Sequence, residues 1–390
     1  MRVLHVITGL GMGGAEQQLR LLLRHVPAAC DVLTLTDAGS VARGITADGT
    51  RVTDLGMAGN RDVAVLPRLV RLIRAGRYDV VHTHLYRACL YGRIAARIAG
   101  VRAVVATEHS LGDSQMEGRA LTSGVRALYL AGERLGRMTV AVSPAVGTRL
   151  HQWGVPRRRI RVVPNGIDVD RFAFDPAARA AARAQLGLPG DAFVIGGVGR
   201  LTDGKRFDVL LRAAALLPAD VRVLLVGAGP RERDLRLLAA RLGIAERVRF
   251  AGETGEEGVG AGGDVRAAAH LPSLFAAMDV LASPSPEEAF GLALMEGLAS
   301  GLPALYSSCP AVDALPAGER TDSAHCASDP ESFARALHGL HRLHRRDGYR
   351  PTRHRAVPAA VRHYDITRSA GRLMDVYASV LAGPNQEVNP

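Results

Sequence analysis

A short segment of the second half, Gly199-Arg200-Leu-Thr-Asp-Gly204-Lys205, carries charged residues whose chemistry suits phosphate. It directly follows an apolar run at residues 193–197 that predicts a buried strand. Arg200 offers a fork of donors and Lys205 a point charge, a pair suited to a diphosphate. Lys205 is the single lysine among 49 basic residues, which favours a role that needs an ammonium group. An exposed charged turn is the alternative.

A second motif contains two carboxylates eight positions apart, Glu288 and Glu296. Prolines precede Glu288 and predict a loop, and a helix is expected to begin near Gly291. Glu296 then falls on the second turn of this helix among apolar side chains, where a carboxylate needs a partner. Ribose hydroxyls would satisfy Glu296, sugar hydroxyls would satisfy Glu288, and the helix N-terminus would face phosphate. Two solvated carboxylates are the alternative, which explains Glu288 better than Glu296.

The first half opens with a strand, a glycine turn and a helix. Glycines allow a ligand close to the backbone, and the helix N-terminus favours an anion. Gly9, Gly11 and Gly14 also satisfy the dinucleotide fingerprint, with Asp37 ending the next strand. An NAD-dependent oxidoreductase is therefore one hypothesis for this turn, and a purely structural turn is another.

Composition indicates a globular protein of two domains. The chain has 390 residues, of which 47% are hydrophobic. A mean hydropathy of +0.07 argues against disorder. No apolar stretch is long enough to span a membrane, and the start does not resemble a signal peptide. The four cysteines are widely spaced and fit no zinc or disulfide pattern, so we expect reduced thiols and a cytoplasmic location.

The formal net charge of +11 raises the possibility of an anionic partner. Aromatic residues make up only 4% of the chain, and no stacking platform is visible, so we expect no nucleic-acid partner. A preference for arginine over lysine explains most of the charge. Basic residues of one helix, Arg68, Arg71, Arg74 and Arg77, leave a lipid-linked acceptor open, although no membrane contact is expected.

Apolar strands alternate with amphipathic helices throughout the sequence. This pattern predicts an α/β fold with parallel sheets covered on both faces. We expect an N-terminal domain at residues 1–172 and a C-terminal domain at residues 188–364, joined by a polar, alanine- and arginine-rich helix. A closing helix is expected at residues 365–382, with one apolar face. The glycine-rich stretch at residues 254–263 predicts a mobile loop of unassigned role.

The sequence resembles the retaining glycosyltransferases of family 4, which have the GT-B fold of two Rossmann-like domains facing across a cleft. The matching segments are GMGGAE (11–16), DVVHTH (79–84), ATEHS (106–110), VSPAV (142–146), VVPNGIDVDRF (162–172), GRLTDGK (199–205) and LLVGAGP (224–230), followed by the pair of glutamates. They cover nearly the whole chain in the order of the family. Two positions depart from the pattern: Arg206 replaces the usual glycine, and residues 254–263 form an insertion.

The resemblance implies a UDP-sugar as co-substrate and assigns roles to particular residues. Arg200 and Lys205 would bind the diphosphate, Glu296 the ribose and Glu288 the transferred sugar, while His109 would border the reacting centre. The predicted catalytic residues are therefore His109, Arg200, Lys205 and Glu288. The resemblance also places the closing helix back on the N-terminal domain. Further donor contacts are implied at Gly13, Gly14, Gly199, Gly227, Phe290, Gly291 and Leu292.

A nearer resemblance is to transferases of aminoglycoside-antibiotic pathways, which implies an aminocyclitol acceptor such as paromamine. The acidic segment from Glu108 to Glu117 agrees, because carboxylates suit ammonium groups. We therefore predict acceptor contacts at Glu16, His84, Asp113 and Glu117. A solvated acidic loop is the alternative reading of this segment, and a lipid-linked or other sugar acceptor is the alternative function.

No metal or other cofactor is predicted. His82 and His84 alternate along one strand and should point to one face, but no carboxylate partners are evident. Arg200, Lys205 and the helix after Gly291 would instead neutralise the diphosphate. Family resemblance also implies that the anomeric configuration is retained, with the leaving diphosphate accepting the acceptor's proton.

Overall fold

The computed structural model describes residues 1–59, 62–112, 115–116, 119–254, 270–320, 322–346 and 357–382. The chain forms two compact units. The first comprises Met1–Gly166 together with Tyr364–Pro390, and the second comprises Ile167–His363. The predicted loop at residues 254–263 lies almost wholly outside the described residues.

The first unit is built on a seven-stranded parallel sheet in the order β3-β2-β1-β4-β5-β8-β9. Its strands are β1 (Arg2–Gly9), β2 (Ala29–Asp37), β3 (Arg51–Asp54), β4 (Val80–His84), β5 (Ala103–Glu108), β8 (Met138–Ala141) and β9 (Ile160–Val162), with a separate antiparallel pair, β6 (Gln115–Met116) and β7 (Arg119–Ala120). Its first helices are α1 (Gly14–Leu23), α2 (Gly39–Ala47), α3 (Val65–Gly76), α4 (Tyr86–Ala99), α5 (Ser123–Glu133) and α6 (Pro144–Trp153). Every residue of β4 and β5 is buried, as expected for strands covered on both faces.

The second unit repeats this design with a six-stranded parallel sheet in the order β12-β11-β10-β13-β14-β15. Its strands are β10 (Val194–Val198), β11 (Arg222–Val226), β12 (Val248–Gly252), β13 (Val280–Ser283), β14 (Ala304–Tyr306) and β15 (Ser323–His325). Its helices are α7 (Pro176–Gln185), α8 (Phe207–Ala215), α9 (Glu232–Arg241), α10 (Leu271–Ala277), α11 (Leu292–Ala299), α12 (Pro310–Asp313) and α13 (Pro330–Arg346). Each unit thus places the carboxyl ends of its central strands at one sheet edge, where ligands of such folds bind.

The closing helix, α14 (Ile366–Ala382), returns to the first unit as the resemblance implied. Its apolar face includes Leu373, Tyr377 and Val380, which join a core cluster with Val80 and Val105 of the sheet. The predicted amphipathic pattern of this segment therefore corresponds to a helix that covers the sheet face.

The segment expected to link the two domains is an integral part of the second unit. Phe172 packs edge-on against Phe275, with ring centroids 5.7 Å apart, so the first unit ends at Gly166 instead of residue 172. In α7, Arg179 and Arg183 each lie 2.7 Å from a carboxylate oxygen of Asp279. All three side chains are at least 90% buried, so removing one partner would leave an uncompensated charge in the core.

Candidate active site

Two glycines predicted to contact the sugar donor, Gly199 and Gly227, lie close together at the carboxyl ends of β10 and β11. Gly199 has φ of +146° and donates its backbone N–H to the Val226 carbonyl. Gly227 has φ of +124°, and a Cβ placed on it would lie 2.1 Å from the Gly199 carbonyl oxygen. The close approach of the two turns therefore requires glycine at position 227.

Lys205 and Glu288, which are 83 positions apart, form an ion pair. Lys205 Nζ lies 2.5 Å from Glu288 Oε1, and the side chains are 32% and 15% exposed. Ser285 fixes the two loops, because its hydroxyl lies 3.0 Å from the carbonyl oxygens of both Gly204 and Glu287. The structure thus brings together two residues that the sequence assigned to the donor site. Arg200, assigned to the same site, is exposed.

Helix α11 begins directly after this ion pair. Gly291 is its N-cap with φ of +94°, and no side chain caps the helix there. A Cβ at position 291 would lie 2.4 Å from Cys309 Sγ, so the site accepts only glycine. Phe290 is buried, and its carbonyl accepts a hydrogen bond from the Ala311 backbone. Leu292 opens the helix, whose first N–H groups have no intrahelical acceptor and can receive an anion.

Glu296 lies on α11 with only partial access to solvent. Desolvation raises the pKa of its carboxyl to about 8, against the opposing effect of the Arg171 guanidinium. The group is therefore mostly protonated at pH 7 unless a bound ligand stabilises the carboxylate. This environment agrees with the expectation that Glu296 needs donors from a ligand.

Arg206, where the family usually has glycine, adopts a left-handed backbone with φ of 51° and ψ of 36°. This conformation is one that glycine adopts at no steric cost, which gives a physical reason for the glycine that the family pattern implies here. Arg206 also pairs with Asp208 through a 3.3 Å contact between two exposed side chains. Such exposed pairs contribute little, so the substitution leaves a strained residue at the start of α8.

In the first unit, the glycine turn opens α1. Gly13 is the N-cap, Gly14 is the first helical residue, and a Cβ at position 13 would lie 2.2 Å from Glu16 Oε2. The Glu16 carboxylate therefore lies over the N-terminus of its own helix, where the helix dipole favours negative charge. Asp37, the candidate ribose ligand of the NAD hypothesis, accepts the Gly39 backbone N–H at 2.9 Å and shapes a turn.

Four histidines gather under the carboxyl edge of this sheet. His82 and His84 point to one face, as predicted, with ring centroids 4.2 Å apart. His84 also contacts His109, through 3.1 Å between Nδ1 and Nε2, and His5, through 3.0 Å between Nε2 and Nδ1. His84, predicted as an acceptor contact, is 1% exposed, and both of its ring nitrogens are used within this cluster. The sequence reasoning missed His5, because its position opposite His82 is set by the pairing of β1 with β4 and not by spacing along the chain.

These rings are uncharged at neutral pH because they are desolvated. Burial lowers the pKa of His5 to about 3 and that of His109 to about 4, and it lowers the pKa values of His82 and His84 well below their usual range. Each ring therefore offers one N–H donor and one acceptor nitrogen.

Within the described residues, one group of side chains is close enough to hold a metal ion. His5, His82 and His84 each bring a ring nitrogen within 4.8 Å of the others. Both nitrogens of His82 are already hydrogen-bonded, to the Tyr377 hydroxyl at 2.6 Å and to the Thr107 hydroxyl at 2.7 Å. The chain also holds one Asp-x-Asp triplet, residues 168–170, in which Asp168 accepts the Arg171 backbone N–H.

The acidic segment is only partly described. Asp113 and Glu117 lie outside the described residues. Glu108, counted with them in the sequence, is 2% exposed and accepts the Ser110 backbone N–H at 3.4 Å. It is therefore a buried strand-end residue and adds nothing to an acidic surface.

Comparison with known proteins identifies the family. The model of Glycosyltransferase Family 4 matches residues 12–171, and that of Glycosyl transferases group 1 matches residues 192–342. A D-inositol 3-phosphate glycosyltransferase from Salinispora tropica is 31% identical over 335 residues, covering 79% of this chain and 65% of that protein. One of the same name from Streptosporangium roseum is 30% identical over 338 residues, covering 81% and 72%. The chain thus spans about two thirds of the length of these curated relatives.

Among solved structures, Anabaena HepE in complex with UDP and glucose has a TM-score of 0.82 and 21% identity, covering 97% of this chain and 100% of that one. This likeness concerns the fold and confirms the prediction of two Rossmann-like domains with parallel sheets. The chain belongs to glycosyltransferase family 4, which removes the oxidoreductase hypothesis. No helix among the described residues is long and apolar enough to cross a membrane.

Proposed function

We propose that this chain transfers a sugar from a UDP-sugar, held by the second unit, to a small acceptor. This proposal rests mainly on the Lys205–Glu288 ion pair. The pair lies between the Gly199 turn and the N-terminus of α11, which has no side-chain cap. A diphosphate there would gain the ammonium group and the helix N–H groups, and Glu288 would be released toward sugar hydroxyls. The complex of Anabaena HepE with UDP and glucose supports a UDP-linked donor.

The proposed reaction retains the anomeric configuration and needs no metal ion. The bond between the anomeric carbon and the diphosphate breaks as the acceptor oxygen attacks from the same face. The acceptor's hydroxyl proton passes to the departing diphosphate oxygen. Arg200, Lys205 and the start of α11 stabilise the growing negative charge, which makes electrostatics the main source of rate enhancement.

For the acceptor we propose an amine-bearing cyclitol glycoside such as paromamine. The Glu16 carboxylate at the N-terminus of α1 favours an ammonium group over a phosphate at this position, because it already occupies the positive end of the helix. Asp113 and Glu117 are proposed as further partners of the acceptor's ammonium groups.

A cyclitol phosphate is the second candidate acceptor. The observation that favours it is the name of the curated relatives, D-inositol 3-phosphate glycosyltransferase. Both candidates present hydroxyls on a six-membered carbocycle, and they differ in the sign of their charge.

One assay panel tests these proposals. Several UDP-sugars are combined with paromamine, with its deaminated analogue and with inositol 3-phosphate, and NMR identifies the product anomer. We expect turnover with paromamine, an α-linked product from an α-linked donor, and full activity in excess EDTA. Preference for inositol 3-phosphate would replace the amine proposal, an inverted product would refute retention, and activity lost in EDTA and restored by Mg²⁺ or Mn²⁺ would refute metal independence.

A further inference from the structure

Three histidines of the first unit, His5, His84 and His109, form one hydrogen-bonded chain, which we call the histidine row. His5 lies in β1, His84 ends β4, and His109 follows β5. His84 Nε2 lies 3.0 Å from His5 Nδ1, and His84 Nδ1 lies 3.1 Å from His109 Nε2. His84 therefore uses both ring nitrogens, one toward each neighbour.

The neutral state of the row couples its proton positions. Burial lowers the pKa values of His5, His84 and His109, and it therefore keeps these three rings uncharged near pH 7. A neutral imidazole carries one N–H, and each hydrogen bond of the row needs one proton between its two nitrogens. Only two proton arrangements satisfy both bonds.

In the first arrangement, His5 donates to His84, His84 donates to His109, and His109 carries its own proton on Nδ1. In the second, every proton moves to the other nitrogen, and His5 carries its proton on Nε2. Within the described residues, His5 Nε2 and His109 Nδ1 are both buried and without a hydrogen-bond partner. The arrangements therefore differ in which end of the row holds an unpaired N–H donor.

The burial of the two ends selects the first arrangement. His5 is 0% exposed and its Nε2 has no hydrogen-bond partner among the described residues, so an N–H there would be an unsatisfied buried donor. His109 follows β5 and, unlike His5, keeps some accessible surface, although its Nδ1 is covered in this structure. A ligand that binds against His109 is therefore the acceptor open to an N–H on Nδ1. We propose that His5 and His84 are positioning residues that hold His109 with its proton on Nδ1, so that His109 donates a hydrogen bond to the substrate instead of removing a proton from it. This inference rests on the proposed function and on the family resemblance, which implies that His109 borders the reacting centre.

The first test needs no variant. NMR of the full-length protein labelled with ¹⁵N in histidine separates protonated from bare ring nitrogens. We expect His109 to be protonated at Nδ1 and bare at Nε2, and His5 to be bare at Nε2. The opposite tautomer at His109, or one equivalent of tightly bound zinc that is lost in His84→Phe, would overturn the proposal.

The second test changes only the far end of the row. Asparagine at position 5 places an amide donor where Nδ1 stands, whereas leucine has no donor. We expect His5→Leu to lower kcat by about tenfold or more, as a wrong histidine tautomer does in other enzymes, with donor KM unchanged. His5→Asn should keep kcat close to that of the wild type.

Equal losses in the two variants would contradict a tautomer role. Bound UDP and thermal unfolding serve as controls for folding. Should no UDP-sugar be turned over at all, the proposed function fails, whereas the NMR spectrum still decides the proton positions.

Discussion

Glu296 offers a sharp test of the donor site, because its proton should leave when the nucleotide binds. Its pKa is raised to about 8 by desolvation, so the free protein holds this proton at pH 7. Ribose hydroxyls that donate to the carboxylate would favour the ionised form and return the pKa toward the ordinary value of about 4.3. Binding of UDP at pH 7 should then release close to one proton.

The same linkage fixes how affinity changes with pH. Because the free carboxyl must ionise to bind, UDP affinity should rise by about 50-fold between pH 6 and pH 8 for a free-protein pKa of about 8. The phosphate of UDP titrates in the same window. The phosphate contributes equally to UDP binding by wild type and by Glu296→Gln. The difference in pH dependence between the two proteins therefore reports the Glu296 carboxyl alone.

Calorimetry in two buffers of different ionisation enthalpy measures the released proton, and titrations from pH 6 to 8 measure the affinity. We expect wild type to release about one proton more than Glu296→Gln at pH 7. A raised carboxyl pKa costs stability as pH rises from the unfolded value toward 8. Glu296→Gln should therefore show a gain in Tm that grows over this window. Equal proton release by the two proteins would refute a carboxylate partner for the ribose.

Three further predictions concern the charged residues of the site. Lys205→Ala and Arg200→Ala should each weaken UDP binding by about 1.5–3 kcal/mol, the scale of a hydrogen bond to a charged group, and unchanged calorimetric affinity in both would remove them from the diphosphate site. Arg206→Gly should relieve about 1–2 kcal/mol of backbone strain and leave Tm equal or higher. The matched control Arg212→Gly within α8 should cost about 1 kcal/mol of stability. Equal losses of stability in the two variants would contradict the strain at Arg206. Glu16→Gln should raise the KM for paromamine with UDP affinity intact, and an unchanged KM would exclude Glu16 as an ammonium partner.

The sequence by itself determined the repeated strand and helix pattern, the two parallel sheets and the covering face of α14. These features follow from local periodicity, since residues alternate along strands and recur every three to four positions along helices. The common face of His82 and His84 came from the same rule. The glycines at positions 227 and 291 are visible in the sequence, but the groups that require them, the Gly199 carbonyl and Cys309, are distant in sequence and approach them only in the fold.

Only the tertiary structure decided which charged groups meet. The contact of Lys205 with Glu288 joins loops that follow different strands, and the pairing of Arg179 and Arg183 with Asp279 turns an apparently polar linker helix into part of a core. Neither pairing is encoded in spacing, because charges far apart in sequence are brought together by the order of strands in a sheet. The histidine row has the same origin: strand pairing places β1 beside β4, and thereby places His5 within a hydrogen bond of His84.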